Sequence, residues 1–453
     1  MGYVLIHPDD NVKVNLENGH KYAVRDIENG EKIIKYGFPI GISTENINKD
    51  EHIHSHNMKT ALSGTQEYSY NPYFSFPKKV EPIKIKAYIR KNGDIGIRND
   101  IWIIPTVGCV NKTAEKIARL TGTIAYTHPY GCSQLGGDHE RTQKVLCGLI
   151  KHPNAGGVLV LGLGCENNNI TELKKILGEY NEEGIRFLNA QDCEDEITEG
   201  VKIIDELKLI TAKDEKTEVP ISKLKIGLKC GGSDGLSGIT ANPLCGKITD
   251  RLVSMGGSAV LTEVPEMFGA EQILMNRCVN EEIFNKTVKL INDYKEYFIS
   301  HGQPVSENPS PGNKDGGITT LEEKSLGCVQ KGGTAPIVDV LDYGEIVTKS
   351  GLNLLNGPGN DLVAITNLTA VGCHLILFTT GRGTPLGAPI PTIKIATNSA
   401  LAEKKKHWID FDAQRCSDEE LFNLILQISN GNKTKSEENG YREIAIFKDG
   451  VTL

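Results

Sequence analysis

Four histidines near the start of the chain are the first residues whose spacing could do chemistry. His52, His54 and His56 stand in EHIHSHN, and His20 stands in GHK. On a strand, positions two apart point to one face, so three imidazoles would be presented together. Clustered imidazoles suit a transition metal or a substrate, and the neighbouring Glu51 could complete such a site. A second set of polar residues lies in glycine-rich stretches. GDIGIRN carries Arg98 and Asn99. THPYGCSQLGGDHER carries His128, Tyr130, Cys132, Ser133, Gln134, Asp138, His139 and Arg141. GGSD carries Gly232, Ser233 and Asp234, and TTGRGTPLG carries Arg382. An arginine can hold a carboxylate through two parallel hydrogen bonds, and a structural ion pair is its ordinary alternative. Arg382, between two glycines directly after an apolar run, reads as a ligand contact.

There are 11 cysteines. The count is odd, no two form a CxxC, and zinc-finger and ferredoxin spacings are absent. A disulfide framework is not expected of a chain with this composition and no secretory leader. Cys109, Cys132, Cys165, Cys230, Cys328 and Cys373 each touch a glycine or stand one residue from one. Each alone reads as a small buried hydrophobe; several converging on one place would be ligands or lining.

Those residues need elements to carry them. Apolar runs that end in glycine loops alternate with helical segments from about residue 84. Ile101–Pro105, Gly157–Leu161, Leu224–Leu228 and His374–Phe378 read as strands. Lys112–Leu120, Glu172–Tyr180, Glu194–Leu207, Asn242–Met255, Glu281–Phe298 and Asp418–Ile428 read as helices, and Glu443–Phe447 as a last strand. The alternation predicts α/β layers with parallel-type sheets, the last of them Rossmann-like. Without a Cβ, glycine loops after such strands let backbone N–H groups approach an anion. None of them is GxGxxG or GxxxxGK[ST], so dinucleotides and nucleoside triphosphates are poorly supported. Residues 1–75 read instead as a small all-β unit (Tyr3–Ile6, Lys21–Val24, Lys32–Ile34), with a linker at 76–83. An α/β unit at 84–220 and a C-terminal α/β unit at 221–453 follow. Glycine supplies 48 of 453 residues, above the usual ~7%, and it concentrates in these loops.

The formal charge of −8 argues against a nucleic-acid partner. No apolar run is long enough for a membrane span, and MGYVLIHPDDNV has no signal-peptide character. A cytoplasmic protein without a membrane partner is expected.

Taken together, HPDDNV, GHKYAVRDIENGE, IIKYGFPIG and HIHSHN resemble the SAF-type β-clip domain of the altronate dehydratase / galactarate dehydratase family. YIRKNGDIGIRN, HPYGCSQLGGDHERT, LGLGCENN, CGGSDGLSGITANPLCG, EVPEMFGAE, SPGNKDGGITTLEEKSLGCVQKGG and LFTTGRGTPLGAPIPTIKIATNS resemble that family's larger region, in the same order. The stretch between Asn11-Val12 and Gly19-His20 is shorter than in a full-length family β-clip. The resemblance implies a hydro-lyase that takes a sugar acid, altronate first and galactarate or a related acid next, to a 2-keto-3-deoxy acid. It also implies a divalent metal, Fe²⁺ or in its place Mn²⁺, and a homodimer. A base would take the proton α to the carboxylate, and an acid would help the β-hydroxyl leave. On this footing His20, His54 and His56 are metal ligands, with Cys132, Cys165 and Cys230 as the alternative set. His128 and then His139 are the acid/base residues. Arg98 and Arg382 clamp carboxylate, and Asn99, Cys132, Ser133, Gln134, Gly232, Ser233 and Asp234 contact substrate. A sulfo-lyase acting on a sulfonated hydroxy acid, an iron–sulfur dehydratase with cysteine ligands, and a non-catalytic sugar-acid-binding protein are the competing readings.

Overall fold

Turn glycines break the first sixty residues into strands too short to reach across a large sheet, and these pair locally. The computed structural model describes residues 2–453. Tyr3–Val4, Val12–Asn15, Lys21–Ala23 and His52–Ile53 form one antiparallel sheet, and Lys32–Lys35, Phe38–Ser43 and Met58–Lys59 form a second. Val12, Val14, Ala23, Ile33, Ile40 and Ile53 are buried. His52 is on a strand, whereas His54 and His56 lie in the turn after it, so strand alternation is not what groups the imidazoles.

The polar, aromatic stretch that follows has no regular structure but is pinned along the C-terminal unit. Tyr70 Oη donates to Cys278 O (2.9 Å), and the Tyr73 amide donates to Asn276 O (2.7 Å).

A ribbon of Lys84–Ile89, Ile95–Gly96 and Lys216–Pro220 precedes and follows a four-stranded parallel sheet. That sheet has the order Ile124–Ala125, Asp100–Pro105, Ala155–Gly162, Ile185–Asn189. From Asp100–Pro105 the chain turns first to one side and then to the other. The helices Asn111–Thr121, Gly136–Ile150 and Ile170–Leu177 make the connections, and Glu196–Thr211 leads from the last strand back to the ribbon. Gly136–Ile150 lies where the sequence shows polar loop residues; its polar first turn conceals a helix whose last six residues, Val145–Ile150, are all buried.

The C-terminal sheet has seven parallel strands in the order Ile337–Leu341, Gly351–Leu355, Ser258–Leu261, Lys225–Cys230, Leu375–Thr380, Thr392–Ala396, Phe411–Asp412. Every residue of Gly351–Leu355, Leu375–Thr380 and Thr392–Ala396 is buried, as befits strands covered by helices on both faces. Glu443–Phe447 is extended but joins no ladder. Its amides are taken up by Gly387 O, Thr366 Oγ1 and Tyr343 Oη instead. The protein is thus an α/β chain with an N-terminal all-β unit. No helix among the described residues is long and apolar enough to cross a membrane.

Candidate active site

In the seven-stranded sheet, Lys225–Cys230 lies between Ser258–Leu261, reached next along the chain, and Leu375–Thr380, reached more than a hundred residues later. Strand order reverses here, and open α/β sheets bind ligands in the crevice this leaves at the carboxyl ends of the strands. A cavity of about 460 Å³ opens there, with Cys230, Gly231, Gly232, Glu266, Lys324 and Asp361 in its wall. Gly231 is required by space: a Cβ on it would stand 2.6 Å from Phe378 Cζ and 2.7 Å from Asp361 Oδ2.

Two thiols and a carboxylate meet in the floor. Cys230 Sγ is 3.4 Å from Cys328 Sγ, and Glu266 Oε2 is 2.9 Å from the first sulfur and 3.1 Å from the second. Three lysines surround them. Lys331 Nζ is 2.9 Å from Cys230 Sγ, Lys324 Nζ is 2.8 Å from Glu266 Oε1, and Lys229 pairs with Glu263 and, at 2.9 Å, with Asp361. The hydrogen bond from Cys328 and the Lys331 and Lys229 charges bring the Cys230 thiol down to about 6, against burial. The same hydrogen bond and burial push Cys328 up, so it is the thiol that keeps its proton. Burial alone would raise Glu266, but Lys324, Lys229 and Lys331 hold it well below the usual carboxylate range. Burial, then Cys230 and Glu266, push Glu263 the other way. Glu263 also has φ +71°, a left-handed conformation that a non-glycine residue keeps only where its surroundings enforce it. Among the described residues, Cys230, Glu266 and Cys328 are the one group of three His, Cys, Asp or Glu whose ligand atoms lie within 4.8 Å of one another.

The predicted residues fall in three places. Gly232 lines the cavity, and Arg382 stands over it, its Cβ 3.2 Å from where a Gly232 Cβ would be. Arg382 is exposed, and no hydrogen bond or ion pair holds its guanidinium among the described residues. Ser233 and Asp234 continue the same loop. The Asp234 carboxylate is already taken by the Leu236 amide, Ser237, Thr397 and Asn398, so it fixes the loop instead of waiting for a hydroxyl.

The second place is the four-stranded sheet and its loops, whose helix Gly136–Ile150 reaches the cavity wall through Arg141, 5.0 Å from the ring of Phe447. Arg98 grips Glu437 through two hydrogen bonds of 2.7 and 2.9 Å and spends its other donors on the carbonyls of Ile97, Ile428 and Asn432, so none is left for a substrate carboxylate. Asn99 accepts from Arg90 and donates to Thr211 O. His128 is buried, with Nε2 2.8 Å from Pro105 O and Nδ1 accepting from the Tyr130 amide, and burial takes it down to about 4. Cys132, Ser133 and Gln134 form a loop bound to Asn167 and Gly131, and His139 lies on the helix Gly136–Ile150.

The third place is the seam between the N-terminal unit and the C-terminal unit. His20 Nδ1 is 3.0 Å from His52 Nε2, and the rings of His54 and His56 lie 5.6 and 5.7 Å from that of His52. His54 Nε2 donates to Lys314 O (2.9 Å), next to Asn313, which lines the cavity. Burial, then the neighbouring imidazoles and Lys21, bring His52 down to about 4. Below them Lys21 and Lys35 of the N-terminal unit both bind Glu323, at 2.8 and 2.9 Å, and all three side chains are sealed from solvent.

Of the cavity's other residues, Glu263 and Glu266 lie in EVPEMFGAE and Lys324, Cys328 and Lys331 in SPGNKDGGITTLEEKSLGCVQKGG, stretches that resemble the family but received no role; Lys229 and Asp361 carry no recognisable motif. The available signal was charge in apolar surroundings: Lys229 inside IGLKC, and Glu263 and Glu266 in LTEVPEMF.

Over residues 221–452 the chain matches the family model "D-galactarate/Altronate dehydratase, C-terminal", over 87–211 that of the family's second domain, and over 8–61 that of its SAF domain. This chain belongs to the altronate and galactarate dehydratase family. It is 53% identical to an altronate dehydratase of Bacillus subtilis, over 98% of this chain and 93% of the relative. It is 48% identical to an altronate dehydratase of Escherichia coli, over the whole of both. A galactarate dehydratase (L-threo-forming) of Escherichia coli is 29% identical over 98% of this chain and 96% of its own length. As a family member the chain is a sugar-acid dehydratase, a hydro-lyase.

Proposed function

We propose that the chain removes water from altronate to give the 2-keto-3-deoxy acid, in the cavity at the carboxyl end of Lys225–Cys230. The observation that carries the choice of substrate is the likeness, at 53% and 48% over nearly the full length, to two altronate dehydratases, against 29% to a galactarate dehydratase.

A divalent cation is implied by the family, and the donor set fits one. Cys230 Sγ, Cys328 Sγ and Glu266 Oε2 are close enough to share an ion and border an open cavity. Two sulfurs and one carboxylate suit Fe²⁺ better than the harder Mn²⁺. Bound there, the ion would supply Lewis-acid stabilisation of the charge that builds on the substrate carboxylate.

The chain's own groups account for the rest. The Lys324 ammonium, kept charged by Glu266, and the Arg382 guanidinium attract the carboxylate. The Gly231 and Gly232 backbone lets the substrate come close to the floor. Asp361, fixed by Lys229 at the cavity wall, is our assignment for the base that takes the C2 proton at its carboxylate oxygen. His128 we assign to positioning, since both of its ring nitrogens are engaged by backbone. The His20–His54–His56 group, whose ring nitrogens do not all lie within 4.8 Å of one another, is the second candidate for the ion and would have to draw together to take it. Iron analysis of Cys230→Ala and of His54→Ala separates the two: loss only in the first supports the sulfur site, and loss only in the second moves the ion to the imidazoles.

One observation favours a second reading. The chain is 31% identical to the β subunit of a (2R)-sulfolactate sulfo-lyase of Chromohalobacter salexigens over 80% of this chain, and 45% identical to the α subunit over 49 residues. Anaerobic incubation with Fe²⁺ and altronate, galactarate or sulfolactate, assayed for 2-keto-3-deoxy acid and for sulfite, decides between them.

A further inference from the structure

The four-stranded sheet has its own reversal of strand order, between Asp100–Pro105 and Ala155–Gly162. The loops beyond these strands and beyond Ile124–Ala125 carry Cys109, Cys165 and Cys132. Of the 11 cysteines, these three are the exposed ones; the rest are buried or intermediate. Exposed free thiols invite oxidation, so three on adjacent loops ask for a reason.

The loops are bound into one surface at the cysteines themselves. The Gly108 amide donates to Tyr130 O (2.9 Å), and the Asn168 amide to Gly131 O (2.9 Å). Asn167 Oδ1 accepts from the Ser133 amide (3.1 Å) and lies 3.5 Å from Cys132 Sγ. Each cysteine is therefore within two residues of a bond joining its loop to the next. Glu166 locks the third loop, accepting from the Leu163 and Gly164 amides and from Thr106. The same loops hold two fully buried side chains with an unpaired polar atom, Gln134 Nε2 and Asn168 Oδ1. A strand-order reversal, three tied loops and orphaned polar atoms together mark a ligand site.

Its chemistry follows from the donors. The three sulfurs do not form a group with all ligand atoms within 4.8 Å, so they are too spread to share one ion. No fourth protein ligand closes a tetrahedron, as a structural zinc site needs. Three spread, solvent-facing thiols suit a cluster whose irons each take one of them. We propose that Cys109, Cys132 and Cys165 bind a 4Fe–4S cluster through three of its irons, leaving the fourth iron without a protein ligand. The site is separate from the Cys230–Glu266–Cys328 floor and does not depend on the function proposed for it. Each thiol gives up its proton as it binds.

The test is anaerobic reconstitution of the full chain with sulfide and equal parts of ferrous and ferric iron, which together make up the core of two Fe²⁺, two Fe³⁺ and four sulfides, followed by desalting. The expected result is about four acid-labile sulfides per chain, about four irons beyond the single one proposed for the cavity floor, and broad visible absorption. Cys109→Ala, Cys132→Ala and Cys165→Ala each lose most of it, and Cys230→Ala keeps it. Iron without sulfide, or an undiminished cluster in the variant lacking all three cysteines, overturns the proposal. Alkylation of the unmodified chain gives a reading that needs no variant. The three thiols label readily before reconstitution and are protected after it; equal labelling in both states contradicts the cluster.

Discussion

The Lys331 ammonium lies 2.9 Å from the Cys230 sulfur, and both side chains are shut off from solvent. With Glu263 also 3.9 Å from it, the Lys331 ammonium favours the charged form of the Cys230 sulfur and so a ligand-ready thiolate in the cavity floor. Lys331→Met removes an outer partner of the proposed ion. It should weaken Fe²⁺ binding about 10- to 100-fold, measured by titration of the metal-free enzyme. Cys230→Ala and Glu266→Gln should lose the single ion of the cavity floor and with it turnover.

The two arginines expected to clamp carboxylate should behave oppositely. Arg382→Ala should raise KM for the sugar acid about tenfold or more with an unchanged melting temperature, because the guanidinium supports nothing else. Arg98→Ala should lower the melting temperature and leave KM alone, because it removes the two-bond partner of buried Glu437 and leaves it Arg442 at 3.5 Å. Steady-state kinetics and thermal melts of the two variants check this.

Glu323 joins the two ammonium groups of Lys21 and Lys35 across the seam, and together they hold it down to about 2 against burial. Glu323→Gln leaves two cations buried without a counter-charge and should cost about 3–5 kcal/mol. Denaturant melts measure the cost. Limited proteolysis should also show the N-terminal unit released first.

Acid should destabilise the protein through three enclosed imidazoles. Burial takes His128 to about 4, His152 to about 3 and His374 well below its usual value. Their folded values lie below the unfolded value, so the unfolded chain takes up protons that the folded chain refuses. The stability they contribute is complete above pH ~6.5 and is lost as pH falls toward 4, by about 3 kcal/mol for His128 alone. Melting temperatures across that range should fall, and His128→Gln should flatten the curve.

Class and layering were legible because strands buried on both faces are apolar runs and their loops are rich in glycine. The same glycine loops drew attention to Gly232 and Arg382, which the fold places at the cavity. Arg98 was not, since its partner Glu437 lies 339 residues away and no local pattern announces it. Glu266, Cys328 and Lys331 come together only when two segments, Val264–Met267 and the helical stretch from Leu321 to Gly332, meet beside Cys230. The imidazoles were found by an alternation that the chain does not follow, and they group nonetheless because a turn folds His54 and His56 back on His52.

The most direct test of the account is the product formed from altronate by the iron-loaded enzyme under anaerobic conditions. The account predicts stoichiometric 2-keto-3-deoxy acid, turnover from galactarate that is slower, and activity lost in Asp361→Asn. No product from altronate, with sulfite released from sulfolactate, would contradict it.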